Sequence, residues 1–139
     1  EEVGLRGAGV AAFSERPDIA VAIDGTTAND VADVPKEKWV CTVGSGAVVS
    51  FMDRATVYDP ALYRQIREIA DSLHLPNQTK TVIVGGNDAG AMQRAAGGAR
   101  VAAVSLPCRY IHSPSSVVSL TDMENTVALL FALTKKLPQ

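Results

Sequence analysis

Two adjacent glutamates and a distant histidine are the residues of this chain best suited to chemistry. Glu1 and Glu2 begin the sequence, and His112 lies in the segment Arg109-Tyr110-Ile111-His112-Ser113. Successive side chains leave the backbone in different directions, so neighbouring carboxylates can have different roles. One can bind a metal ion while the other transfers a proton. Together with a histidine, the pair suggests a metal-dependent hydrolase.

The composition narrows the classes of function. The chain has 139 residues, 47% of them hydrophobic, enough for the core of one domain. Its 13 basic and 15 acidic residues include no block of Lys and Arg, so neither nucleic acid nor an anionic membrane is the expected partner. The two cysteines, Cys41 and Cys108, lack metal-site or disulfide-framework spacing, which fits a reducing cytoplasm. No apolar run reaches the roughly 20 residues of a membrane-spanning helix.

The pattern of apolar residues predicts alternating strands and helices. Four short, β-branched-rich runs are typical of strands buried on both faces; they are 19–23, 47–51, 81–84 and 101–106. Helical spacing predicts helices near 4–13, 60–73, 88–96 and 121–134. Asp59-Pro60 is expected to begin the second helix, and Thr121-Asp122-Met123-Glu124 has the form of a capping box for the last. This order predicts an α/β layered domain, with a long loop at 26–46 that is a candidate for function.

A ligand site is expected at one edge of this sheet. In open α/β sheets, ligands gather at the carboxyl ends of strands. Asp24 is predicted to end one strand and His112 follows another, so both could meet one metal cluster. Carboxylate oxygens and a histidine nitrogen suit zinc, cobalt or manganese. Because no close metal-binding spacing such as His-Glu-x-x-His is present, these residues alone leave the metal site open.

Five segments of the chain follow one another in an informative order. They are Glu1-Glu2-Val3-Gly4-Leu5-Arg6-Gly7-Ala8, Ala22-Ile23-Asp24, Phe51-Met52-Asp53-Arg54, Gly85-Gly86-Asn87-Asp88-Ala89-Gly90 and Arg109-Tyr110-Ile111-His112-Ser113-Pro114. In this order and with these intervals they resemble the motifs of the glutamyl and tetrahedral (TET) aminopeptidases. That family consists of dinuclear metallopeptidases, some of which have been labelled endoglucanases. The resemblance implies a Zn-peptidase-like three-layer α/β/α sandwich.

The resemblance also implies roles for individual residues. Glu1 would be the general base, Glu2 would bind one metal ion together with His112, and Asp24 would bind the other. The family completes this site with a histidine and a bridging aspartate upstream of the glutamate doublet, where it also carries an inserted dimerisation domain. We therefore interpret residues 1–139 as the C-terminal portion of a metallopeptidase catalytic domain without these parts. Alone, the chain is expected to be inactive for lack of two ligands.

The complete protein is expected to be a dinuclear metallo-aminopeptidase. The resemblance implies two divalent ions (zinc, cobalt or manganese), a peptide substrate and a homo-oligomer, a dodecamer in such proteins. The chain departs from the usual family pattern at Gly25, where valine is common, and at Asn87, where threonine is common. Neither position is a ligand, so the departures concern substrate preference.

Other interpretations of the same residues remain open. Glu1 and Asp24 could serve as the acid and base of a glycosidase, although 5% aromatic residues and the single Trp39 offer little surface for sugars. The chain could instead be a non-catalytic scaffold or assembly fragment. Asp88 is predicted to cap a helix, and Arg109 to hold the loop of His112.

Overall fold

The computed structural model describes residues 1–137, which form one mixed sheet with helices on both sides. The elements in chain order are α1 (Arg6–Glu15), β1 (Ile19–Thr27), a 3₁₀ turn (Lys36–Lys38), β2 (Ala47–Val49), α2 (Pro60–Ser72), β3 (Asn77–Thr79), α3 (Ala89–Arg94), β4 (Arg100–Cys108) and α4 (Leu120–Lys136). The strand order is β1-β4-β2-β3. β1 and β4 are parallel, β2 and β3 are parallel, and β2 runs antiparallel to β4. The predicted α/β class is confirmed.

Strand β4 shows why the fold has three layers. Its side chains alternate between the two faces of the sheet, as in any strand. Val104 belongs to the core built with Leu62 of α2 and Leu129 of α4. Val101 belongs to a second core on the opposite face, with Ala89 of α3. Both faces of β4 are therefore buried, which explains its continuous apolar sequence.

Local signals place the start of α2 correctly. Asp59 caps this helix by accepting a hydrogen bond from Leu62 N at 2.7 Å, and Pro60 occupies the first helical turn. The Asp59 carboxylate also forms an ion pair with Arg100 at 3.0 Å. This contact joins the first turn of α2 to the beginning of β4.

The predicted capping box of the last helix is wrong. Ser119 is the cap instead, and its hydroxyl accepts a hydrogen bond from Asp122 N. The Asp122 side chain turns to another segment, where it accepts from Gly44 N at 2.6 Å and from Gly46 N at 2.8 Å. The helix therefore begins at Leu120, and Thr121 lies inside its first turn and not at its cap.

Two strand predictions also need correction. Residues 81–84 form no strand: the pairing segment is β3, Asn77–Thr79, and Thr81 N already bonds to Val40 O of the long loop. The predicted strand 47–51 ends at Val49. Helix α4 is the longest helix described, and none in residues 1–137 has the length and hydropathy to cross a bilayer.

Strands β1 and β4 continue beyond their predicted ends. β1 runs to Thr27, so Asp24 lies within the strand and not at its end. β4 runs through Pro107 to Cys108. Cys108 O accepts a hydrogen bond from Ala28 N, so Cys108 faces β1. The preceding residue, Pro107, therefore faces the β2 side of β4, but it lies beyond the last residue of β4 that pairs with β2. The missing N–H of proline therefore breaks no sheet hydrogen bond.

Candidate active site

One cavity of about 800 Å³ is lined by all four predicted site residues, which are Glu1, Glu2, Asp24 and His112. Glu1 and Glu2 lie in the turn before α1, Asp24 lies in β1, and His112 lies in the turn after β4. Because β1 and β4 are parallel neighbours, Asp24 and the chain that follows β4 reach the same edge of the sheet. The parallel pairing thus brings together residues that are far apart in sequence.

Glu2 and His112 are the pair that this fold places in direct contact. Glu2 Oε1 lies 3.4 Å from His112 Nδ1. His112 has a left-handed backbone with φ 63°, as does Tyr110 with φ 60°, and this sharp turn directs the chain back over the cavity. A carboxylate oxygen next to an imidazole nitrogen is a suitable donor pair for a transition-metal ion.

Glu1 and Asp24 have perturbed acidities. Loss of hydration raises the pKa of the Glu1 carboxyl, and the charges of Glu2 and Asp24 raise it further. Loss of hydration also raises the pKa of Asp24, against the lowering effect of Gly25 N, which donates to Asp24 Oδ1 at 2.7 Å. Several carboxylates that destabilise one another's charge form a site to which a cation binds favourably.

The donors fit a metal ion in type but are incomplete in number. Among residues 1–137, no three His, Cys, Asp or Glu side chains lie close enough to hold one metal ion. The described residues therefore offer the Glu2–His112 pair and, separately, Asp24.

Asp88 has a different environment from the one predicted. It makes no side-chain cap bond to α3; Asn87 does so instead, through Oδ1, which accepts from Ala89 N at 2.9 Å. Asp88 Oδ1 is buried and has no hydrogen-bond partner among the described residues. Its charge contributes to the raised pKa values of Glu1 and Asp24. Asp88 does not line the cavity, but its charge acts on two residues that do, and the glycine-rich sequence around it gave no signal of this.

Arg109 holds the loop that leads to His112, as the sequence analysis predicted. Its guanidinium donates two hydrogen bonds of 2.7 Å to the Asp30 carboxylate. This contact lowers the pKa of Asp30, which also accepts from Val43 N at 3.0 Å. The long loop between β1 and β2 is thereby tied to the end of β4, and both border the cavity.

Lys80 is a cavity residue to which the sequence analysis assigned no role. Its side chain is buried, and Nζ donates to Val84 O at 2.6 Å. The segment after β3 therefore turns over the cavity, where Val82 and Val84 form part of the wall. In sequence, Lys80 stands directly before an apolar run, which suggested a strand and not a site.

Comparison with known proteins assigns the chain to a family. A model of the M42 glutamyl aminopeptidase family matches residues 1–129. The chain belongs to the M42 family. The lysyl aminopeptidase of Pyrococcus furiosus is 36% identical over 138 residues, which cover 99% of this chain and 38% of that relative. The resemblance seen in the sequence motifs is confirmed.

Solved peptidase structures have the same fold. The aminopeptidase from the archaeon Desulfurococcus kamchatkensis superposes with a TM-score of 0.95 at 34% identity, covering 98% of this chain and 39% of that one. The TET1 peptidase of Pyrococcus horikoshii, which can assemble into a tetrahedron or a large octahedral shell, gives a TM-score of 0.78 at 33% identity. It is covered over 38% of its length, and this chain over 96%. The chain thus spans well under half the length of these proteins.

Proposed function

We propose that the complete protein containing this chain is a metal-dependent aminopeptidase that removes N-terminal residues from peptides. The observation that carries the proposal is the cavity at which Glu1, Glu2, Asp24 and His112 meet. Membership of the M42 family supports a peptide substrate.

In this proposal the carboxylates have separate tasks. Glu2 and His112 would bind one divalent ion and Asp24 a second, with zinc, cobalt and manganese as candidates. Such ions polarise a scissile carbonyl and acidify a water molecule. Glu1 would accept the proton of the attacking water and return it to the leaving amine. A raised pKa brings Glu1 closer to the operating pH, as general acid–base catalysis favours.

We further propose that residues 1–139 form the C-terminal portion of the catalytic domain. The coverage of 38% of the Pyrococcus furiosus relative supports this. The remaining ligands and a dimerisation insert would lie elsewhere in the complete protein, and this chain alone would be inactive. A homo-oligomer, up to a dodecamer, is supported by a similar structure that is described as a dodecamer. Free, buried Cys41 and Cys108 are consistent with a cytoplasmic location.

The test of these roles is a pair of substitutions in the complete protein. Glu1→Gln should lower turnover about 10²- to 10⁴-fold, the usual contribution of a general base, with metal content unchanged. His112→Ala should reduce the metal content because it removes a ligand. Glu15→Gln, an exposed carboxylate at the end of α1, is the matched control and should change neither property.

Metal analysis and a peptide hydrolysis assay on the same samples decide the outcome. Substantial metal loss in Glu1→Gln would make Glu1 a ligand and contradict its role as base. Hydrolysis of glycosidic bonds that persists in the metal-free protein would favour the glycosidase alternative. A complete protein that binds metal but cleaves nothing would favour the scaffold alternative.

A further inference from the structure

The turn that carries His112, residues 109–117, is closed at its base by Arg109. Arg109 N donates to Val117 O at 2.9 Å, and Val117 N donates to Arg109 O at 3.0 Å. These two bonds fix the ends of the His112 turn to each other. Within the turn, Ser113 N donates to Tyr110 O at 3.2 Å. The position of the whole turn therefore depends on how its base is attached to the rest of the domain.

The His112 side chain depends on this attachment because it has little packing of its own. It is 67% exposed, and its ion-pair contact within residues 1–137 is with Glu2, which is also exposed. The neighbouring Ile111 lies over Gly25 of β1, where an added Cβ would be 3.4 Å from Ile111 Cδ1. The backbone of the turn, and not the surroundings of the imidazole, therefore sets where His112 lies.

Asp30 is the residue to which the base of the turn is attached. Its side chain is 1% exposed, and its Oδ1 and Oδ2 accept hydrogen bonds of 2.7 Å from Nε and Nη2 of Arg109. A planar guanidinium that donates two such bonds to one carboxylate is fixed in direction as well as in distance. A buried anion thus orients the arginine from which the His112 turn begins.

The same carboxylate also holds the long loop between β1 and β2. Asp30 Oδ2 accepts a hydrogen bond from Val43 N at 3.0 Å, across 13 residues of sequence. Lys38 and Val40, which lie between these two residues, line the cavity. Asp30 therefore joins two parts of the cavity border, the long loop and the His112 turn.

We infer that Asp30 is a positioning residue that acts through Arg109 and holds His112 where it can share a metal ion with Glu2. Asp30 lies outside the five sequence motifs, and its oxygens are already engaged by Arg109 and Val43. The inference rests on the proposed metal binding and adds a residue to that site. A metal–ligand distance is tolerated only within about 0.2 Å, so a small shift of the turn is enough to weaken the bond.

The two proposed metal ions should differ in their dependence on Asp30. Asp24 lies within the nine residues of β1 that pair in parallel with β4, so the sheet itself holds this ligand. His112 lies beyond the end of β4 and is held through Arg109. Replacing Asp30 should therefore weaken the ion bound by Glu2 and His112 and leave the ion bound by Asp24 unchanged.

The first experiment is a calorimetric titration of the complete protein with zinc. Asp30→Asn should weaken one of the two sites about 10-fold, the lower end of the usual 10- to 100-fold effect, because Arg109 acts on the backbone and not on the imidazole. Arg109→Lys should give a smaller loss, since lysine keeps the charge but not the paired bonds. Adding Asp30→Asn to His112→Ala should cause no further loss at the weakened site.

Asp122→Asn is the matched control. Asp122 is a buried carboxylate that holds the same long loop, through Gly44 N and Gly46 N, but it has no contact with Arg109 among the hydrogen bonds of residues 1–137. Loosening this loop without touching the base of the His112 turn should leave both zinc affinities unchanged. A general loss of stability would affect the two variants alike.

A second experiment needs no metal ion. In the zinc-free complete protein, Asp30→Asn should speed hydrogen exchange at Ser113 N about 10-fold or more, because a charge-assisted attachment of the turn is lost. Asp122→Asn should instead speed exchange at Gly46 N, whose acceptor it alters. If Asp30→Asn does not fold, Arg109→Lys, which keeps a cation beside the buried carboxylate, provides the same two measurements.

The outcomes separate this inference from the proposed function. Equal weakening of both zinc sites, unchanged zinc binding, or equal effects of Asp30→Asn and Asp122→Asn would overturn the inference. Unchanged exchange at Ser113 N would overturn it as well. A complete protein that binds no zinc, but in which Asp30→Asn still loosens the His112 turn, would refute the metal-dependent function while the positioning of His112 by Asp30 stands.

Discussion

Asp122 is the side chain whose removal should most clearly weaken the structure around the cavity. It is 1% exposed and accepts hydrogen bonds from Gly44 N and Gly46 N, across 78 and 76 residues of sequence. These glycines end the long loop that contributes Lys38 to the cavity. Asp122 therefore joins α4 to the loop that forms one cavity wall.

The cost of Asp122→Ala can be worked out from the two donors. Gly46 is buried, so its N–H would lose its partner in the interior at roughly 1–3 kcal/mol. Gly44 is exposed and its N–H can bond to water instead, so losing this hydrogen bond costs only the net contribution of a hydrogen bond, about 0.5–1.5 kcal/mol. The sum is about 3 kcal/mol, which corresponds to a fall in Tm of at most about 6–12 °C, the range for 150–250 residues, because the shift per kcal/mol becomes smaller in a longer complete protein.

The assay is thermal unfolding of the complete protein, with hydrogen exchange at Gly46 N as a local measurement. Glu124→Ala is the control: it removes a carboxylate two residues further along α4 that is exposed and makes no side-chain hydrogen bond within residues 1–137. We expect it to change stability by less than about 0.5 kcal/mol. If Asp122→Ala and Glu124→Ala lower Tm equally, or if Gly46 N keeps its exchange protection, the reasoning is refuted.

Two further predictions concern stability. Gly46→Ala should destabilise the protein far more than Gly44→Ala: both glycines have positive φ, but an added Cβ at Gly46 would lie 1.9 Å from Pro76 O, and at Gly44 it would meet nothing within 4 Å. Equal Tm values for the two variants would contradict this. The ion pair with Arg100 and the cap bond lower the pKa of Asp59 to about 2. The ionised Asp59 carboxylate should therefore stabilise the fold fully above pH 3.8, and this contribution should be lost as the pH falls through about 2. The stability difference between the unmodified protein and Asp59→Asn should therefore shrink from pH 5 to pH 2 in urea titrations, and a constant difference would exclude this linkage.

Local sequence signals predicted the elements that depend on local contacts. The start of α2 follows from Asp59 and Pro60, which act on their own helix. The layering follows from the apolar runs of β1 and β4, whose side chains contribute to the cores on both faces of the sheet. These features need no information about distant parts of the chain.

The two kinds of error have different causes. Val82 and Val84 belong to a strand-like apolar run, but Thr81 N pairs with Val40 O, and the segment leaves the sheet. No local pattern contains that contact. The capping box at 121–124 failed because Ser119, two residues earlier, caps α4 and so places Thr121 inside the first turn of the helix.

The candidate site depends on both kinds of information. The family resemblance named Glu1, Glu2, Asp24 and His112, and the fold places all of them on one cavity. Their roles as base and ligands stay predictions. The sequence could not identify Lys80 as a cavity residue. Its burial beside the cavity depends on the segment after β3, which turns over the edge of the sheet only in the folded chain.

The most direct test of the account compares metal content and peptide hydrolysis in the complete protein and in residues 1–139 alone. We expect about two divalent ions per subunit and release of N-terminal amino acids by the complete protein, and neither property for residues 1–139. Full metal content and activity in residues 1–139 would contradict the assignment of the missing ligands to the rest of the protein. A complete protein that stays metal-free and inactive in the presence of zinc, cobalt and manganese would contradict the proposed function itself.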